Sequence, residues 1–147
     1  MIASGSLLAG PSRIESLAAG GACADGWGHP GVAYDRGAQR WVLFEVGAGN
    51  HLCVYVSRTA DPLAGGWHAY DFELPRFPDF PRLGVWSDAY IVTTNEDSPA
   101  IYAFERNAML AGSHAAWVRM TVDPLEDFGF QALTPIDLDG ASPPGSG

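Results

Sequence analysis

Short apolar runs recur along the chain, separated by glycine, proline, aspartate and asparagine, a rhythm that predicts strands joined by tight turns. Residues 31–35 open the series; Arg36-Gly37-Ala38-Gln39 turns, 41–46 returns, Gly47-Ala48-Gly49-Asn50 turns again, 52–57 is a third strand and 67–72 a fourth. A second set follows in the same order over residues 83–87, 89–94, 100–104 and 117–122. The runs are apolar at consecutive rather than alternate positions, as expected of sheets covered on both faces. Helical periodicity is nearly absent; residues 107–111 offer about one turn before Gly112. The predicted class is all-β.

The two sets share one mark: a proline, a short apolar strand and a closing aspartate. It reads Pro30-Gly31-Val32-Ala33-Tyr34-Asp35, then Pro81-Arg82-Leu83-Gly84-Val85-Trp86-Ser87-Asp88, and in reduced form Pro135-Ile136-Asp137-Leu138-Asp139. A period of about fifty residues with several strands inside it is that of β-propeller blades, four-stranded antiparallel sheets set around a central channel. On this reading residues 1–22 are the tail of a preceding blade or a loose segment, 23–78 a first blade, 79–129 a second, and 130–147 the start of a third with a loose tail. Propellers close with roughly four to eight blades. Two blades plus flanking parts therefore predict a fragment that relies on the remaining blades of a longer chain. Alone, it is expected to associate or to bind hydrophobic dyes, because stacked repeats draw stability from their neighbours.

Composition narrows the function classes. The chain has 147 residues, 47% of them apolar, enough for a globular domain. Its net charge of −9 disfavours nucleic acid and anionic membranes, which need clustered cations. No run approaches the ~20 apolar residues of a membrane span, so no membrane insertion is expected. An export signal, with its basic start and apolar core, is also not visible in residues 1–21. His51, His68 and His114 show no metal-ligand spacing, and there is no phosphate loop or nucleophile elbow, so neither metal nor cofactor is predicted. Asp137-Leu138-Asp139-Gly140 has the opening pattern of a calcium loop but is too short to make one.

Residues just ahead of an inner strand sit at the mouth of a propeller channel. That places His29, Asp79, Arg82 and Thr134 around one opening, where they can bind a polar ligand, with His29 adding pH dependence near its ordinary pKa of about 6.5. The plainer role for Asp79 is to accept backbone N–H bonds in the turn before Pro81. A glycosidase needs two carboxylates roughly 5 to 9.5 Å apart. Asp79 with Asp35 or Asp88 is the pair to nominate, although the last two also read as turn acceptors. Trp67 and Trp86 suit either sugar stacking or blade packing. The two cysteines, Cys23 and Cys53, can pair within the chain only with each other, and a disulfide and two buried thiols stand as equal alternatives.

From Gly28 onward the chain resembles secreted bacterial sialidase-like (BNR-type) β-propeller proteins of largely unassigned activity. The resemblance rests on Tyr34-Asp35 with Arg40-Trp41; on Cys53 to Ser57 followed by Thr59, Asp61-Pro62 and Gly66-Trp67; and on Asp79-Phe80-Pro81-Arg82-Leu83-Gly84-Val85-Trp86-Ser87-Asp88-Ala89-Tyr90. Ala103-Phe104-Glu105-Arg106, Met109-Leu110, Asp137-Leu138-Asp139-Gly140 and Pro143-Pro144 extend it. Two positions depart from the family pattern: Gly28-His29-Pro30 has histidine where the family usually carries aspartate, and Phe104-Glu105-Arg106 has glutamate in a stretch that usually holds aspartate. The resemblance implies an extracellular or periplasmic location and favours the Cys23–Cys53 disulfide. The function expected is a binding module for carbohydrate or another surface polymer. A sialidase-like glycoside hydrolase is the alternative, and a structural module of a larger adhesin a further one.

Overall fold

The computed structural model describes residues 9–124, 126–127, 129–138 and 142. Its strands form two four-stranded antiparallel sheets, each in simple chain order: β1 (Gly26–Asp35), β2 (Arg40–Gly47), β3 (His51–Ser57) and β4 (Trp67–Glu73), then β5 (Arg82–Val85), β6 (Ala89–Thr94), β7 (Ala100–Glu105) and β8 (Trp117–Thr121). Valine and aromatic residues fill the central strands, as a half-buried pleated surface favours. One helical turn, α1 (Arg106–Ala111), follows β7 and stops at Gly112, whose left-handed φ of 70° closes the helix.

Directly opposed residues of an antiparallel pair share a face. Val42 opposite Val56, Phe44 opposite Val54 and Leu52 opposite Phe72 give the first sheet one continuous apolar face. Leu83 opposite Val92 and Tyr90 opposite Phe104 give the second sheet its counterpart. These faces meet in one core, with the Phe72 and Phe104 rings 4.4 Å apart. β1 approaches β5, while on the far side α1 wedges between β4 and the β6–β7 pair. There Met109 is fully buried, and the Tyr70 hydroxyl donates to its carbonyl at 3.0 Å.

A charged interaction crosses between the sheets. Asp35, fully buried at the end of β1, receives Arg106 Nε at 2.6 Å and Nη2 at 2.9 Å, the Tyr90 hydroxyl at 2.8 Å and the Ala38 N–H at 2.9 Å. Burial pushes the Asp35 carboxyl up, but the bonds from Arg106, Ala38 and Tyr90 outweigh it and hold the group below the usual carboxylate range. Tyr90 moves the opposite way, raised by burial and then by the adjacent carboxylate. The turn role expected of Asp35 is thus only one of its four bonds.

The opposite face of the first sheet is covered from the N-terminal side. Two 3-10 turns, Ile14–Leu17 and Gly21–Ala24, lay Ile14, Leu17 and Ala18 against Leu43, Tyr55 and Trp67. Cys23 and Cys53 are bonded across this layer, Cα atoms 5.6 Å apart, closing a sequence separation of 30. Glu45 is buried beneath it, facing the Tyr55 hydroxyl at 3.4 Å, and burial followed by the nearby Glu15 raises its carboxyl above the ordinary range.

Three expectations change. The first inner strand begins at Gly26 rather than 31, because bulges between Gly26 and Gly31 let it pair as far as Gly47. Burial on both faces is a property of β2 and β3; in β8 every residue after Trp117 is exposed. The start of a third sheet at 130–138 forms no strand among the described residues. Bonds that hold this segment include the Gln131 N–H to Asn95 Oδ1 at 3.0 Å, the Thr93 hydroxyl to the Leu133 carbonyl at 2.7 Å and the Leu138 N–H to the Val85 carbonyl at 3.0 Å. Residues 1–8, Asp139, Gly140 and 143–147 lie outside the described residues.

Breaking the buried pair is expected to be severe. Arg106→Met leaves the Asp35 carboxylate uncompensated and should cost about 3–5 kcal/mol in chemical denaturation, part of which Asp35→Asn in the same chain should restore. Because the folded Asp35 pKa lies below its unfolded value, the contribution is complete above the unfolded pKa and lost as pH falls through the folded one. The gap between wild type and Arg106→Met should therefore narrow under strong acid. A gap independent of pH, or below about 1 kcal/mol, contradicts this role.

Candidate functional site

Three corners, each a residue followed by proline, meet at the edge where β1 and β5 begin. His29-Pro30, Phe80-Pro81 and Thr134-Pro135 line a single cleft of about 510 Å³ together with Arg82, Leu83 and Phe44. His29 and Phe80 both hold left-handed backbone, φ 53° and 49°. Such values are uncommon for side-chain-bearing residues and outlying for bulky ones, and they tend to gather at binding and catalytic sites. In β1 the corner coincides with the bulge between Gly28 and Gly31, which frees His29 from the ladder.

The side chains converge on Phe80. Arg82 stacks its guanidinium 4.5 Å from the ring centroid, Phe130 meets it edge-on at 5.0 Å, and the His29 ring lies 6.2 Å away. His29 Nε2 faces Asp79 Oδ1 at 3.8 Å, with both side chains about two-fifths exposed. The other Asp79 oxygen is held by the Asn95 side-chain amide at 3.0 Å, and the Asn95 N–H donates to the Asp79 carbonyl at 2.8 Å. Asn95 also accepts the Gln131 N–H at 3.0 Å, so one side chain ties the second corner to the third. Arg82 forms no ion pair among the described residues, which leaves its charge directed at the cleft. Asp79 itself lines an adjoining polar cleft of about 620 Å³ with Arg76, Glu96 and Asp97. The His29–Asp79 pair stands between the two openings.

The structure therefore brings His29, Asp79, Arg82 and Thr134 to one edge. Asp35 is elsewhere, sealed against Arg106, and Asp88 is exposed, its carbonyl taking the Arg106 N–H at 3.1 Å. Two tyrosine–glutamate pairs form, Tyr55 with Glu45 and Tyr102 with Glu96, but both tyrosines are fully buried and present nothing to a ligand. Trp67 packs beside the disulfide, and Trp86 lines an apolar groove on the second sheet. His51 pairs with Asp71, and His68 lies against Gly112. No group of three or more metal-ligating side chains gathers among the described residues. Sequence reading missed Phe80, although it occupies in the second repeat the place His29 has in the first; aligning the two proline corners finds it. Asn95 is the connector.

Compared with protein-family models, characterised protein sequences and solved structures, the chain matches none.

The left-handed corner at His29 makes a specific prediction. Glycine adopts this backbone freely, so His29→Gly should raise the thermal midpoint by roughly 2–4 °C, the equivalent of about 1 kcal/mol. His29→Ala, which keeps the steric conflict, should not. Equal midpoints for the two variants would show that the corner holds no strain.

Proposed function

We propose that the chain is part of an extracellular or periplasmic β-propeller, its two sheets neighbouring blades, whose corner cleft binds carbohydrate or another polar surface polymer. The observation that carries this reading is the convergence of the three proline corners on one cleft. Simple-order sheets that approach at their first strands and are wedged apart by a helix on the far side suit blades radiating from an axis. On this reading the remaining blades of a longer chain complete the ring. Phe80 offers a ring against which the C–H face of a sugar can pack, and Arg82, which pairs with no carboxylate among the described residues, offers donors to hydroxyl or anionic groups. The Cys23–Cys53 bond supports an oxidising compartment. The charge of −9 speaks against nucleic acid as partner, and no described helix is long and apolar enough to cross a membrane.

Glycoside hydrolysis remains the second reading because an imidazole and a carboxylate, His29 and Asp79, face each other in the open at 3.8 Å. It lacks Asp35 as the second carboxylate, since Arg106 occupies that group.

A glycan array followed by calorimetry on the best hit tests the proposal. Arg82→Ala and Phe80→Ala should each weaken binding about tenfold or more, equivalent to about 1.4 kcal/mol, while Asp88→Asn leaves it unchanged. No binding to any glycan or surface polymer overturns the reading in favour of a structural module. Reporter release from aryl glycosides, abolished in Asp79→Asn, overturns it in favour of the hydrolase.

A further inference from the structure

The corner cleft and the adjoining polar cleft share one wall, the run of residues 75–82 that leads into β5. Arg76, Phe77 and Asp79 of this run line the polar cleft of about 620 Å³, while Phe80 and Arg82 line the corner cleft of about 510 Å³. Each cleft thus receives one phenylalanine and one arginine from the same short stretch. Pro75, Pro78 and Pro81 recur at every third position and fix φ there, and the Asp79 N–H closes on the Phe77 carbonyl at 2.9 Å. The two phenylalanine–arginine sets are therefore held at a defined spacing. Phe77 is 39% exposed, and Arg76, like Arg82, is exposed and pairs with no carboxylate among the described residues. Both clefts also carry acids: Asp79 and the exposed Asp97 in the polar one, Asp137 in the corner one. Glu96, on the polar side too, is answered within the fold by Arg119 at 2.6 Å.

Resting on the reading of this edge as a carbohydrate site, we propose that the two clefts form one track for a linear, uncharged glycan, with at least one sugar unit in each. Each volume falls in the range of about 300–1,000 Å³ that holds a whole small ligand, so a single sugar leaves the neighbouring cleft empty and a chain fills both. In each cleft the phenylalanine offers a face for the C–H side of a sugar ring, and the arginine offers donors to its hydroxyls. Charge selects among polymers. An anionic chain is opposed by Asp79 and Asp97 and a cationic one by Arg76 and Arg82, whereas a hydroxyl both donates and accepts and suits either neighbour. The net charge of −9 adds to the case against a polyanion. Once one unit is seated, the next binds at an effective concentration set by the linkage between them, so chain length multiplies affinity without a new kind of contact.

An array of linear oligomers, from monomer to hexamer, followed by calorimetry of the full chain on the best series, tests this. Cello-, malto-, xylo- and manno-oligosaccharides form the uncharged set, oligogalacturonates the anionic set and chitosan oligomers the cationic set. Affinity should rise on the order of a hundredfold from monomer to hexamer in the best uncharged series. Arg76→Ala, at an exposed position, should lower hexamer affinity about tenfold with an unchanged thermal midpoint. Affinity that does not change with length overturns the shared track and leaves the corner cleft as a pocket for a single sugar. Tighter binding of oligogalacturonate or chitosan overturns the uncharged class, and full hexamer affinity in Arg76→Ala overturns the part given to the second cleft. No binding in any series overturns the carbohydrate reading itself, and this proposal with it.

Discussion

The bidentate contact between Asp35 and Arg106 decides how the two sheets stand to one another. Asp35 ends the first strand of one sheet; Arg106 begins the helix that follows the third strand of the other. Apolar faces alone tolerate sliding, because burial is non-directional. A fully buried carboxylate does not, since each of its bonds has to be present for the charge to remain in the core. Arg106 further bonds the Ser87 carbonyl at 3.2 Å, and Tyr90 reaches the same carboxylate from β6, so the end of β1, the turn after β5, the strand β6 and the helix are referenced to a single point.

From that reference the candidate site follows. With the strand ends locked at the Asp35 side, β1 and β5 run back together to their starting corners, where His29 and Phe80 hold matching left-handed backbone. Asn95 then sets the third corner relative to the second through Asp79 and Gln131. The strand side of the cleft is paired in a ladder, whereas 129–138 is held by hydrogen bonds such as those of Gln131, Leu133 and Leu138. Arg82 and the His29–Asp79 pair stand on the strand side of this cleft.

Much of the fold was legible because its signals are local. Val42, Phe44, Val54 and Val56 read as strands from their own neighbours, and the glycine- and asparagine-bearing stretches between them read as turns. That His29, Asp79 and Arg82 gather at one edge was legible from the proline that stands next to or near each of them. What escaped depends on distance along the chain. The partner of Asp35 is 71 residues away, so the acid reads as a turn acceptor, which is only part of its role. Residues 13–24 contain no strand pattern, and their burial depends on the outer face of a sheet formed later in the chain. Residues 130–138 carry the repeat's proline and apolar positions, yet a strand also requires a partner with free backbone groups, and among the described residues the one backbone bond to a strand from this segment is that to Val85. Phe80 was passed over because a phenylalanine beside proline looks like core filling.

The two sheets form one cooperative unit, locked at Asp35–Arg106. Native-state hydrogen exchange under increasing denaturant tests it most directly. Amides of Val42, Val54 and Val56 in the first sheet should open with the same free energy and the same denaturant slope as those of Tyr90, Val92 and Tyr102 in the second. Exchange of the second sheet at distinctly lower free energy, while the first stays protected behind its disulfide, would contradict it.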